Sequence, residues 1–153
     1  MIRPFTDDDR DAVLGIWYRA SVIAHSFLSE AFFGTERLQI SEEHLPASEI
    51  SVFERDGRVV GFISMVGNEV GGIFVDPEHQ SQGVGRALMS SVTARRPVVV
   101  LDVFEANRVG REFYDAYGFR EIGRDTEQTT GLPVIRLRFD SSRMVEPRRD
   151  GLA

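Results

Sequence analysis

Between Gln80 and Gly85 the chain reads Gln-Ser-Gln-Gly-Val-Gly, two glycines one residue apart at the entrance to a segment with helical periodicity. Glycine lets a backbone come close to a ligand, and the first turn of a helix carries N–H groups that have no carbonyl of their own to bond. Together they make a place where phosphate oxygens are held. Taken alone the pattern is open, because a dinucleotide turn, a plain bend and an acyl-coenzyme-A loop all satisfy it. A dinucleotide turn would want a third glycine where Leu88 stands, although Asp102 sits where a ribose-binding acid would. A triphosphate loop would want Gly-Lys-Ser/Thr, which does not follow.

A second pair lies downstream. Asn107 and Tyr114 are seven residues apart, two helical turns, so a helix through both puts their side chains on one face, within reach of one long ligand. Two acids lie where a proton could be taken. Glu69 precedes Ile73 and Val75 by four and six residues, so an unbroken strand places all three on one face, and Asp102 lies on the next strand. The three histidines, His25, His44 and His79, are scattered and have no paired acids, so no metal site is expected.

Composition narrows the chemistry. There is no cysteine, which removes disulfides, thiolate metal sites and a cysteine nucleophile, and leaves direct group transfer or another nucleophile. The formal charge of −6 opposes broad phosphate-backbone binding and favours cationic substrates such as amines; nucleic acid is not an expected partner. No apolar run approaches the roughly 18 residues of a membrane span, and an Asp triplet follows the first residues where an export signal would need apolar ones. A cytoplasmic location and no membrane association are expected.

The elements that must position these residues follow from the patterning. Ile2 to Phe5 reads as a strand, and Thr6 with Asp9 reads as a capping box opening a helix to about Ala20, with Val13, Ile16, Trp17 and Ala20 on its core stripe. A second helix is expected around Phe27 to Gln39. Ile50–Glu54, Val59–Val66 and Val70–Val75, separated by Asp56-Gly57 and Gly67-Asn68, form an antiparallel meander. A helix from Gly83 to Arg95 stops at Pro97 and gives way to a buried strand, Val98–Phe104. Asn107 opens a helix that Gly118 ends, strand structure resumes at Phe119, and Thr130-Gly131-Leu132-Pro133 turns it into a last strand, Val134–Phe139. Residues 1–140 read as one domain and 141–153 as a mobile tail.

In this setting IFVDPEHQSQGVGRALM resembles the acetyl-CoA motif of the Gcn5-related N-acetyltransferases, Gln/Arg-x-x-Gly-x-Gly/Ala after a strand, filled here by Gln80, Gly83 and Gly85. NRVGREFYDAYGF, residues 107–119, is similar to that family's second motif, and HSFLS at His25 to Ser29 looks like a stretch of some bacterial members. The resemblance implies an α/β (α+β) fold: a mixed, mostly antiparallel sheet of about seven strands, splayed between the fourth and fifth and flanked by about four helices.

By the same resemblance, the amides of Ser81, Gln82, Gly83, Val84, Gly85 and Arg86 hold the pyrophosphate of acetyl-CoA, while Ile73, Phe74 and Val75 pair with its pantetheine arm and an amide near Val75 faces the oxyanion. Asn107 and Tyr114 complete the cofactor site, with Tyr114 as acid to the departing thiolate. Glu69 is the preferred base over Asp102, whose shorter side chain replaces a family glutamate. His25 and Phe27 lie where the first two helices overhang the acceptor. The implied activity is acyl transfer from acetyl-CoA directly to a primary amine of a small molecule or a peptide, without a metal, by a monomer or homodimer. The alternative is a non-catalytic acyl-CoA sensor or interaction module on the same fold.

Overall fold

Thr6 and Asp9 set how the chain leaves its first strand. The Thr6 backbone N–H and hydroxyl both donate to Asp9 Oδ2, at 2.9 and 3.3 Å, closing the anticipated box over a short 3₁₀ turn, Asp7–Asp9. Helix α1, Arg10–Ala24, starts after that turn and runs four residues beyond the expected end at Ala20, because Ser21 and Val22 continue its packed side. Arg3 in strand β1, Ile2–Pro4, locks the junction through ion pairs to Asp9 at 2.8 Å and Glu54 at 3.0 Å.

The computed structural model describes residues 1–40 and 45–142; His44 and the segment 143–153 read above as tail lie outside them. The chain divides into two compact units, Met1–Ser91 and Val92–Ala153. Both units combine helices with strands, giving the α/β class anticipated, with seven strands. The described helices number five rather than four, the extra one being the single turn α3, Leu45–Ala47.

In the first unit, α2 spans Glu30–Gln39. It begins three residues later than Phe27 because the Ser29 hydroxyl accepts from the Phe32 N–H at 3.1 Å and fixes the cap there. Strands β2, Glu49–Arg55, β3, Arg58–Val66, and β4, Glu69–Val75, continue the order β1-β2-β3-β4, every pair antiparallel. Asp56 and Gly57 both have positive φ, 53° and 77°, as the tight turn joining β2 to β3 requires.

One face of this sheet packs on α1 and α2 through Val13, Ile16, Trp17, Phe33, Ile50, Val52 and Phe62. Trp17 is buried, as its helical spacing indicated, and each such side chain contributes roughly 1.5–3 kcal/mol by leaving water. The other face meets α4, Val84–Thr93, whose Val84 and Leu88 reach the backbone at Gly61; a Cβ there would lie 3.0 Å from Val84 Cγ1.

In the second unit β5, Val98–Phe104, pairs with β7, Pro133–Asp140, which pairs with β6, Arg120–Thr126, again antiparallel. Helix α5, Arg108–Tyr117, lies between β5 and β6 in sequence and ends at Gly118, φ 120°. An aromatic cluster of Tyr117, Phe119 and Phe139 anchors its C-terminal end, with centroid distances of 5.1 to 5.9 Å.

Candidate functional site

In the first unit the candidate cofactor loop is built from the end of β4. Asp76 N–H donates to Val60 O at 2.8 Å, and its carboxylate accepts from the Glu78 N–H, starting the 3₁₀ turn Pro77–His79. Asp76 is buried and pairs with Arg19 of α1 at 2.7 Å. Burial pushes its carboxyl up, but the Arg19 hydrogen bond and charge, with the Glu78 amide, outweigh burial and hold it below the usual carboxylate range. Gln80 folds back so that its Nε2 donates to Val75 O at 3.1 Å, tying the loop to the strand end.

Beyond Gln80 the backbone turns twice through the left-handed region, at Ser81 with φ 62° and Gly83 with φ 86°. Open space surrounds the position a Cβ would take at Gly83, so the glycine answers to backbone geometry rather than to crowding. The first helical bond of α4 runs from Ala87 N–H to Gly83 O. The amides of Val84 and Gly85 therefore precede any intrahelical acceptor, next to an exposed, two-fold turned backbone, which fits a bound phosphate.

Glu69 is the first residue of β4, and it does not share a face with Ile73 and Val75 as an unbroken strand would have it. The register pairs Glu69 with Val66 and Val70 with Met65, then Gly72 with Ser64 and Ile73 with Ile63, so Gly71 is an extra residue. The bulge reverses the alternation: Glu69 shares a face with Gly72 and Phe74, opposite Ile73 and Val75. Gly71 and Gly72 make the bulge possible, since a Cβ at Gly72 would lie 2.6 Å from the Phe74 ring. Phe74 itself stacks against Phe62 at 5.4 Å, on the sheet face that carries α1. The competing acid, Asp102 in the second unit, is tied to Arg136, directly opposite on β7, by an ion pair of 3.1 Å.

His25 closes α1 and lies 5.7 Å, edge to face, from the ring of Phe27 in the turn before α2. Burial lowers the His25 pKa to about 4, so the imidazole is neutral at physiological pH. Phe27 is exposed.

In the second unit Asn107 is the N-cap of α5, its Oδ1 accepting from the Gly110 N–H at 3.0 Å. A Cβ on Gly110 would stand 2.6 Å from the Asn107 amide nitrogen, so the two residues fit as a pair. Asn107 thus sits at the helix entrance with its carbonyl oxygen accepting the cap bond. Tyr114, two turns on, packs between Phe113 and Phe119, both at 5.5 Å. Burial raises its phenol well above the usual tyrosine range, so it stays protonated.

Sequence reading named the glycines but not the residues that brace them. Arg19, Asp76 and Arg55, which donates to Gln82 Oε1, all hold the loop. The Asp-Pro pair at Asp76-Pro77 was a legible cap signal; Arg19, 57 residues from Asp76, and Arg55, 27 residues from Gln82, were not.

The family model described as "Acetyltransferase (GNAT) domain" matches residues 46–121. Peptidyl-lysine N-acetyltransferase YiaC of Escherichia coli K12 is 30% identical over 135 residues, 88% of this chain and 92% of the relative. The chain belongs to the GNAT acetyltransferase family. A second relative, peptidyl-lysine N-acetyltransferase YjaB of E. coli K12, is 31% identical over 134 residues, 86% of this chain and 90% of the relative. The solution structure of apo-form YjaB superposes with a TM-score of 0.82 at 25% identity, covering 91% of this chain and 96% of that one. PaiA N-acetyltransferase from Thermoplasma acidophilum, solved with coenzyme A, shares the fold with a TM-score of 0.76 at 16% identity over 92% and 98% of the two chains. Membership makes this GNAT protein an acetyl-CoA-dependent N-acetyltransferase, and the reading as a non-catalytic module gives way to that of an enzyme. No helix among the described residues is long and apolar enough to cross a membrane.

Proposed function

We propose that this enzyme transfers the acetyl group of acetyl-CoA to the ε-amine of a lysine in a peptide or protein, with residues 1–140 acting as one catalytic domain. The observation that carries the cofactor side is the doubly turned loop at Ser81 and Gly83 running into α4. Two relatives named as peptidyl-lysine acetyltransferases, each covered over at least 90% of its length, support the acceptor.

Acetyl-CoA supplies an acyl thioester, whose carbonyl carbon an uncharged amine attacks. The amides from Ser81 through Arg86 hold the pyrophosphate, and the backbone of Ile73, Phe74 and Val75 orients the pantetheine arm, with the Val75 region donating to the developing oxyanion. Glu69 accepts the proton that the amine nitrogen loses as the C–N bond forms. Tyr114, kept protonated by burial, donates to the sulfur as the C–S bond breaks. Asn107 caps α5 and so sets the entrance of the helix that carries Tyr114. The neutral His25 ring and exposed Phe27 face the acceptor side chain.

Glu69 keeps the role of base although the bulge turns it away from Ile73 and Val75. Asp102 is engaged with Arg136, and Glu69 shares its sheet face with Phe74 and the strands under α1 and α2, the helices assigned to the acceptor.

The test is to incubate the protein with acetyl-CoA and a lysine peptide blocked at its N-terminus, following free thiol release together with the peptide mass. Equal amounts of released thiol and acetyl-lysine are expected. Cofactor binding with no acetylated peptide, and transfer instead to a free small amine, would overturn the acceptor assignment.

A further inference from the structure

Arg55 ends β2 and Arg58 opens β3, and the register sets them directly opposite each other across the Asp56-Gly57 turn. Like charges facing one another across a hairpin destabilise it, so the arrangement needs another account. Arg55 shares its face of β2 with Phe53, which pairs with Gly61, the position that Val84 and Leu88 of α4 approach. The hairpin end therefore presents its two cations on the side where α4 begins.

Arg55 is held there from two directions. Its guanidinium lies over the Phe53 ring, 5.5 Å from the centroid, and its NH1 donates to Gln82 Oε1, one residue before Gly83. One of five N–H donors is thereby used, in a planar fork whose geometry suits phosphate oxygens. Among the described residues the Arg58 side chain makes neither a hydrogen bond nor an ion pair.

Coenzyme A carries its phosphates at two places, the pyrophosphate bridge and a monoester on the ribose 3′-oxygen. The loop amides suit the first, and the second calls for a cation. We propose that the Arg55–Arg58 hairpin end binds the ribose 3′-phosphate of the donor, with the Gln82 contact aligning Arg55 toward the loop. The proposal rests on the acetyl-CoA reading above and adds a site to it outside the glycine loop.

Titration calorimetry of the full chain with coenzyme A and with 3′-dephospho-coenzyme A tests it. Wild type should prefer the phosphorylated ligand by roughly ten-fold or more, the value of one charge-assisted contact. Arg55→Ala should bring that ratio close to one by weakening coenzyme A alone, and Arg55→Lys should restore part of it. Gln82→Ala, which removes the alignment but spares the arginine, should lower the ratio part of the way, less than Arg55→Ala does. The proposal is overturned if wild type binds both ligands equally, or if Arg55→Ala weakens both equally, which would mark Arg55 as a brace for the loop. A wild type that binds neither would refute the acetyl-CoA site itself, and this proposal with it. Circular dichroism of each variant confirms that ratios are compared between folded proteins.

Discussion

Arg19 closes an ion pair of 2.7 Å on Asp76, joining α1 to the residue at which β4 gives way to the glycine loop. Arg19 is half exposed and Asp76 nearly buried, so the two partners are not equivalent: removing the arginine leaves a buried carboxylate short of its cation, whereas removing the aspartate leaves a solvated arginine and an uncapped turn.

Arg19→Ala should therefore lower stability by about 1–2 kcal/mol, and Asp76→Ala by a similar amount through the lost cap. Both should weaken acetyl-CoA binding, because Asp76 starts the turn leading to Gln80. Denaturant melts with and without cofactor check this, and the stability difference should grow when cofactor is present.

Gly83→Ala tests the loop by backbone strain alone. At φ 86° an alanine costs on the order of 1–2 kcal/mol, and no neighbour within 4 Å would obstruct its methyl group. A small loss of melting temperature accompanied by a much larger loss of acetyl-CoA affinity is the expected pair of results. Equal losses would show that the glycine serves folding rather than the ligand.

Two residues give stability its pH dependence in separate windows. Burial depresses His25 to about 4 from an ordinary value of 6.5, so the stability of the uncharged ring is complete above pH 6.5 and is lost as pH falls toward 4. The Arg3 hydrogen bonds and charge, acting against burial, depress Asp9 to about 2 from 3.8, so its contribution is present above pH 3.8 and lost below it. His25→Gln should flatten the stability profile between pH 6.5 and 4. Asp9→Asn should flatten it below pH 4, with a change on the order of 1 kcal/mol because the Arg3 side is partly solvated.

What the sequence disclosed was largely local. Glycines, caps and turn pairs write their backbone geometry into residue type, so the Thr6–Asp9 box, the Asp56-Gly57 turn and the loop at Gly83 could be read directly. The misplaced feature was Glu69. A bulge depends on pairing with a second strand, and the doubled glycine at Gly71-Gly72 was its one trace in the sequence. Asn107 was rightly put at the head of a helix, where its residue type signals the cap it makes with the Gly110 N–H. Arg19, Arg55 and Arg136 depend on contacts between residues far apart in the chain, for which charge alone gives no address.

In the proposed mechanism Tyr114 gives the departing sulfur its proton, and Tyr114→Phe isolates that step. Phenylalanine keeps the ring that packs between Phe113 and Phe119 and removes only the hydroxyl. With saturating acetyl-CoA and a lysine peptide, kcat should fall about 10²–10⁴-fold while acetyl-CoA affinity stays within a few-fold of wild type. An unchanged kcat would contradict the assignment of Tyr114 as the acid.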